Sequence, residues 1–161
     1  MIRQANIEDA ASIVYINTMM WKETYKGIFP DDFLNNLDSH NEIAINKCKN
    51  KINEYAVYEI DNKVVGFIRY GLNRKNYDNT YAEVYALYID SFYQRKGIGK
   101  ELINYVFNEL KNNYKYVLIS TLQDNNANIF YKKIGGKLIG TCDFVLENNK
   151  YIENIYKFDL L

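Results

Sequence analysis

Val84-Tyr85-Ala86-Leu87-Tyr88-Ile89, the turn Gln94-Arg95-Lys96-Gly97-Ile98-Gly99, and the stretch that runs on to Leu110 decide the fold. The first run is apolar almost without a break, as expected of a strand covered on both faces. From Ile98 onward, Leu102, Ile103, Val106, Phe107 and Leu110 share a helical stripe with Ile98, while Lys100, Glu101, Asn104, Asn108 and Glu109 take the other side. The glycines therefore open a helix that follows a buried strand. In that first turn the backbone N–H groups lack intrahelical partners and lie at the positive end of the helix dipole. Gly97 and Gly99 carry no Cβ to hold a phosphate oxygen away, and Arg95, Lys96 and Lys100 add positive charge. A pyrophosphate is the natural guest.

Other phosphate motifs fit worse. A dinucleotide fingerprint needs a third glycine where Leu102 stands and an acidic residue about twenty positions on, where Val117 to Ser120 offer none. A Walker-type loop needs glycine at Gln94 and Ser or Thr at Glu101.

The pattern Gln94, Gly97, Gly99 resembles the signature of the GCN5-related N-acetyltransferase (GNAT) family: Gln or Arg, two residues, Gly, one residue, then Gly or Ala. Asp124-Asn125-Asn126-Ala127-Asn128-Ile129-Phe130-Tyr131-Lys132-Lys133-Ile134-Gly135-Gly136 resembles the family's second motif, an Asn, a small residue, Phe-Tyr and a closing glycine. The resemblance implies a single-domain α/β fold over residues 1–161, with a mixed central β-sheet flanked by helices on both faces and splayed central strands. It implies acetyl-CoA as co-substrate, its pyrophosphate held by the backbone around Gln94, Arg95, Lys96, Gly97, Ile98, Gly99 and Lys100. Two positions depart from the common pattern. Gly136 stands where an aromatic residue is usual, and Asn126 where a proline or charged residue is usual.

Size and composition narrow the function further. The 161 residues, 48% hydrophobic, suit one domain with one substantial core. A formal net charge of zero gives no field to gather nucleic acid. Cys48 and Cys142 are too few for a disulfide framework, and with the lone His40 they build no metal site. No signal-like start and no run of about eighteen apolar residues is present, so no membrane partner and a cytoplasmic location are expected. A homodimer is left open.

Along the chain, the patterns predict a strand at 2–5, a helix at 7–21 with Ala11, Ile13, Val14, Ile16 and Met20 inward, and a loop to Pro30. Short helices follow to Leu37 and over 42–49, then a hairpin of 55–60 and 64–70 across Asp61-Asn62-Lys63. A strand at 80–89, the helix 98–110 and a strand at 116–122 form a right-handed parallel crossover. A helix at 126–134 ends at Gly135-Gly136, and strands 137–145 and 151–158 pair across Glu147-Asn148-Asn149.

Acetyl transfer to an amine needs the reactants placed, the ammonium deprotonated, an oxyanion stabilised and a thiolate protonated. By resemblance, the backbone of Leu87, Tyr88 and Ile89 meets the thioester and pantetheine, and Tyr131 is the general acid at the cofactor sulfur. A phenol with a pKa of about 10 holds its proton at neutral pH and can give it to a thiolate. Packing among the chain's 16 Tyr is the competing role for Tyr131. Glu83 is the candidate base; desolvation on a largely apolar strand would raise its pKa, unless it is exposed at an edge or paired with Arg69 or another cation. Asn125 and Asn128 match pantetheine-binding positions, or serve as helix caps. Cys142 lacks a sequence neighbour to activate it.

The acceptor, a small-molecule amine or a protein amino group, is nominated only by Trp21, Glu23, Tyr25, Asp31 and Asp32, where acids and aromatics would suit a cation. Core packing or helix starts are their competing roles. Two other functions share these features: a sensor that binds acyl-CoA without turnover, and a nucleotide-binding module that uses only the glycine turn.

Overall fold

The structure is a computed structural model that describes residues 1–161. Seven strands form one mixed sheet in the order β1-β2-β3-β4-β5-β7-β6. Their spans are β1 Ile2–Gln4, β2 Tyr55–Ile60, β3 Lys63–Leu72, β4 Tyr81–Ile89, β5 Tyr116–Leu122, β6 Lys137–Leu146 and β7 Asn149–Asp159. The helices are α1 Ala10–Thr24, α2 Asp31–Asn35, α3 Glu42–Asn50, α4 Ile98–Leu110 and α5 Ala127–Lys133. Contacts divide the chain into two units, Met1–Tyr70 with Ala86–Val106, and Gly71–Tyr85 with Phe107–Leu161. No helix is long and apolar enough to cross a membrane.

In the first unit β1, β2 and β3 are antiparallel neighbours. The β2–β3 turn has Asp61 and Asn62 at φ 48° and 61°. Left-handed residues at both central positions match the twist of a tight hairpin, and Asp and Asn tolerate that conformation best after glycine. The core gathers Ile13, Val14, Ile16 and Met20 of α1 with Cys48 of α3, Tyr55 and Val57 of β2, and Phe67 of β3.

The inward stripe of α1 begins one residue earlier than expected, with Ala10 fully buried and Ala11 exposed. A 3-10 turn over Ile7–Asp9, capped by Asn6, precedes the α-helix and shifts its phase. α1 also continues three residues past Trp21 to Thr24, taking the start of the expected loop. Gly66 of β3 lies against the end of β4, where a Cβ would stand 2.6 Å from Ile89 Cδ1 and 3.2 Å from the Tyr88 carbonyl oxygen, so a side chain there requires the Ile89 side chain to shift.

In the second unit β4 and β5 are parallel over Tyr81–Val84 and Tyr116–Ile119, and the ladder stops there although β5 runs on to Leu122. β7 lies between β5 and β6 and is antiparallel to both. α5 ends in a Schellman motif. Gly136 N–H donates to the Tyr131 carbonyl at 2.9 Å and Gly135 N–H to the Lys132 carbonyl at 3.2 Å, with Gly135 at φ 103°. The absence of a side chain after Gly135 has a local steric reason. A Cβ on Gly136 would stand 2.7 Å from Phe158 Cζ, so the Phe158 ring of β7 occupies that space.

Candidate active site

The glycine turn belongs to the first unit. Asp90 caps a 3-10 turn over Ser91–Tyr93, its Oδ1 accepting from Phe92 N–H at 3.0 Å. Gln94 then folds back, and its Nε2 donates to the Ile89 carbonyl at 3.0 Å. That bond ties the turn to the end of β4. Beyond it the backbone alternates, with Arg95 at φ 63° and Gly97 at φ 86°. Such alternation turns successive N–H groups toward one concavity. The first helical bond runs from Glu101 N–H to the Gly97 carbonyl at 3.1 Å, so the amides before Glu101 precede the intrahelical ladder.

A Cβ at Gly97 would meet nothing within 4 Å, and Gln94 to Gly97 and Lys100 are exposed. Lys96 lies over the rings of Phe92 and Tyr93, 5.3 and 5.4 Å from their centroids. Open, cationic and rich in unpaired amides, this turn fits a diphosphate.

The end of β4 is half-buried at Leu87 and Tyr88 and buried at Ile89. Tyr88 hydroxyl lies 3.1 Å from Tyr25 hydroxyl. Of the acceptor candidates, Trp21 and Tyr25 join Phe29 in an aromatic cluster with centroids 4.5 to 5.7 Å apart, so Tyr25 is a core residue. Asp31 and Asp32 are exposed in the first turn of α2, where they complement the helix dipole. Glu23 lines a cavity of about 100 Å³ with Tyr15, Met19, Met20, Asp90 and Ser91.

In the second unit β-strand alternation and register sort the polar groups onto two faces. Asn128, Tyr131 and Tyr156 share one. Tyr131 is 7% exposed, its ring 5.4 Å from Phe130 and 6.0 Å from Tyr156. Asn128 is a clamp. Its Nδ2 lies 2.7 to 3.2 Å from the carbonyls of Leu122, Gln123 and Asn125, and its Oδ1 accepts from Asn154 Nδ2 and Tyr156 hydroxyl at 3.0 and 2.7 Å. Both amide atoms are thus satisfied within the protein. Asn125 Oδ1 accepts from Ala127 N–H at 2.8 Å, an Asx turn that leads into α5, whose N-cap residue, Asn126, makes no side-chain cap of its own.

Glu83 lies on the other face. Only 1% exposed, it accepts from Arg74 N–H at 2.7 Å and from the Arg74 guanidinium at 3.2 and 3.3 Å, with Lys75 Nζ at 3.8 Å. Of the alternatives left by the sequence, pairing with a cation is realised, and through Arg74 and Lys75. Arg69 instead pairs with Glu54 at 2.6 Å.

The β3–β4 connection delivers those cations because Asn73 organises it. The Asn73 side chain donates toward the carbonyls of Tyr77, Asp78 and Tyr81 and accepts from the N–H groups of Lys75 and Tyr77. Arg74 also stacks over Tyr85, whose hydroxyl donates to the Leu72 carbonyl. Across the same face, burial pushes the Cys142 thiol up, so it stays protonated at neutral pH and donates to Glu153 Oε1 at 3.7 Å. Glu153, Arg74, Lys75 and Ser120 are polar members of this face that sequence reasoning missed. Pattern alone gave no signal for them, since their proximity depends on strand order and on one loop.

A helix N-terminus with an open amide turn, set in a mixed α/β sheet whose central parallel ladder is short, marks an α/β protein built to bind an anionic ligand. The family model described as "Acetyltransferase (GNAT) family" matches residues 18–136, and the chain belongs to that family. It is accordingly an acyltransferase by class. Uncharacterized N-acetyltransferase YuaI of Bacillus subtilis (strain 168) is 24% identical over 144 residues, covering 89% of this chain and 83% of that protein. Among solved structures, PaiA N-acetyltransferase from Thermoplasma acidophilum in complex with coenzyme A aligns with TM-score 0.79 at 21% identity, covering 99% of this chain and 98% of that one. YncA from Salmonella typhimurium, with its cofactor acetyl-CoA, aligns with TM-score 0.74 at 18% identity over 99% and 93%.

Proposed function

We propose that this chain moves an acetyl group from acetyl-CoA to a primary amine by direct attack in a ternary complex. The observation that carries this reading is the turn at 94–99, with Gly97 in the left-handed region, open space where its Cβ would be, and exposed cations around it. Arg95, Lys96, Gly97, Ile98, Gly99 and Lys100 would hold the pyrophosphate, chiefly through main-chain amides. Gln94 sets the turn by its bond to Ile89, and the backbone of Leu87, Tyr88 and Ile89 would guide the pantetheine. Bound there, acetyl-CoA supplies an acetyl group activated as a thioester.

Tyr131 and the carboxylate face that includes Glu83 would take complementary tasks from opposite sides of the sheet. Tyr131 would donate the proton that lets the thiolate leave, and the carboxylate face that includes Glu83 would relieve the ammonium of its own. A proton donor below the sheet and acceptors above it require the reacting carbon to lie within the sheet layer. The early end of the β4–β5 ladder at Val84 and Ile119 supports such a position. Asn125 and Asn128 then act by positioning, fixing the start of α5 and so the Tyr131 ring.

The test is a thiol-release assay over small amines, polyamines, amino acids and N-terminal peptides, paired with calorimetric titration of acetyl-CoA, ATP and NAD. Turnover on at least one amine with micromolar acetyl-CoA binding is expected. Tight acetyl-CoA binding with no turnover on any amine points to a sensor, and preference for ATP or NAD removes the acetyl-transfer reading altogether.

A further inference from the structure

We propose that Glu153 receives the ammonium of a cationic primary amine and removes its proton, on the sheet face that also presents Ser120. The inference rests on the acetyl-transfer reading above and assigns its base and the charge class of its acceptor.

Register puts the groups together. Glu83 pairs with Leu118, Leu118 with Lys157, Ser120 with Ile155, and Glu153 with both Leu122 and Cys142. Residues paired across a sheet share a face, so Glu83, Ser120, Cys142 and Glu153 point to one side. On that side the two carboxylates are engaged differently. Glu83 is held by a backbone N–H, a guanidinium and an ammonium, so accepting a proton from a substrate means displacing Arg74 or Lys75. Glu153 takes its hydrogen bond from the Cys142 thiol, a weak donor at 3.7 Å that an incoming ammonium can replace without leaving a charge behind.

Ser120 supplies an independent observation. Its Oγ is fully buried and has no hydrogen-bond partner, a state that native interiors rarely tolerate unless something else completes it. Two residues along β5 from Leu122, which pairs with Glu153, and so on the same face, it would accept a second N–H of the same ammonium. The charged and titratable groups facing Glu153 are Lys75 and Arg74 from the β3–β4 connection, Glu83 from β4, and Cys142 from β6. Burial pushes the Glu153 carboxyl up and outweighs Lys75, which pulls it down. That brings a carboxylate toward working pH, as a base requires.

The protons balance. Glu153 takes one proton from the ammonium, and the freed nitrogen lone pair attacks the thioester carbon. The C–N bond forms, the C–S bond breaks, and Tyr131 protonates the departing sulfur. The remaining excess proton on nitrogen returns to the Tyr131 phenolate, and Glu153 later releases its proton to water.

Glu153→Gln, Glu153→Asp and wild type are compared for kcat and KM on the best amine of the panel across pH 6 to 9, with acetyl-CoA affinity and Tm measured alongside. Glu153→Gln is expected to lower kcat/KM for the amine about 100-fold or more, to flatten the acidic limb of its pH profile, and to leave acetyl-CoA affinity within about twofold. Glu153→Asp should recover part of the rate together with the acidic limb, and decides the matter should Glu153→Gln fold poorly. Glu153→Gln within about threefold of wild type, or a pH profile unchanged in both variants, overturns the assignment while leaving acetyl transfer intact. A wild type that binds acetyl-CoA yet acetylates no amine removes the underlying reading, and this inference with it.

Discussion

The turn at 94–99 and the clamp around Asn128 both serve one end of a helix, yet they are built in opposite ways. The turn leaves its main chain outward, anchored by Gln94 to Ile89, with exposed side chains around it. The clamp turns every polar atom of Asn128 inward, joining β5, α5 and β7 through side-chain bonds. A ligand site made of backbone tolerates substitution as far as folding goes and is sensitive in binding. A buried side-chain network behaves the other way round. Tyr131 sits in the second region, and its substitution tests whether that region carries chemistry as well as packing.

The largest effect expected is kinetic. Tyr131→Phe keeps the ring against Phe130 and Tyr156 and removes only the hydroxyl. If the phenol is the acid, kcat falls about 100- to 1000-fold while acetyl-CoA affinity stays within about twofold. Burst and steady-state thiol release, with calorimetry for the cofactor, read both quantities. A rate within about threefold of wild type would place Tyr131 with the packing aromatics.

Next in size comes stability. Asn128→Ala strands the buried Leu122 carbonyl, removes a donor from the Gln123 and Asn125 carbonyls, and takes the acceptor from the Tyr156 hydroxyl, which is fully buried. Losing several buried hydrogen bonds at once costs about 3 kcal/mol, or about 8 °C or more in Tm for a chain of this size. Chemical denaturation would measure it. Should Asn128→Ala lose cofactor affinity with Tm unchanged, the side chain is a ligand contact and the contrast drawn above fails.

The contrast also explains how much could be read from the chain alone. Element types, the parallel crossover and the glycine turn were legible because each is written in consecutive residues: the apolar run 84–89, the stripe from Ile98 to Leu110, the Gly135-Gly136 stop. Insertion of β7 between β5 and β6 was not, since a hairpin pattern fixes which strands pair with each other and leaves open which of them meets a third. The Glu83 partners depended instead on how one neighbouring loop folds. Arg74 and Lys75 look like solvated loop cations until Asn73 folds the loop back onto β4. Glu153 and Ser120 reach the same face only through strand order. Ala11 was misplaced for a local reason, the phase shift introduced by the capped turn at Ile7–Asp9.

A third experiment bears on the outward-facing region. Gly97→Asp sets a carboxylate where a Cβ meets open space, so Tm should fall by only a few degrees, mostly from the left-handed φ. Acetyl-CoA affinity should fall about 30-fold, by about 2 kcal/mol, because the new charge faces a diphosphate. An affinity loss that scaled with Tm loss would show that the turn matters to the fold as much as to the ligand.

The smallest effect concerns a buried charge at the start of the first unit, a useful comparison because it has inward-facing polar atoms and no part in the reaction. Arg3 grips Asp9 with Nη1 and Nη2 at 2.7 and 2.9 Å and reaches Glu59 at 2.7 Å, while Asn6 N–H donates to Asp9 at 2.8 Å. Burial alone would push the Asp9 carboxyl up, but the Arg3 fork and the Asn6 amide outweigh it and hold the group below its ordinary 3.8. A carboxyl whose folded pKa is depressed binds protons more readily in the unfolded chain. Its stabilisation is therefore complete above about pH 4 and is lost as pH falls through the folded value. Asp9→Asn should lower Tm at pH 7 by the equivalent of about 1–2 kcal/mol and make Tm less steep in acid than wild type, measured by melts from pH 7 to 3. If the two slopes coincide, the carboxylates that govern acid unfolding lie elsewhere, and the Arg3 fork is a geometric restraint on α1 with little electrostatic weight.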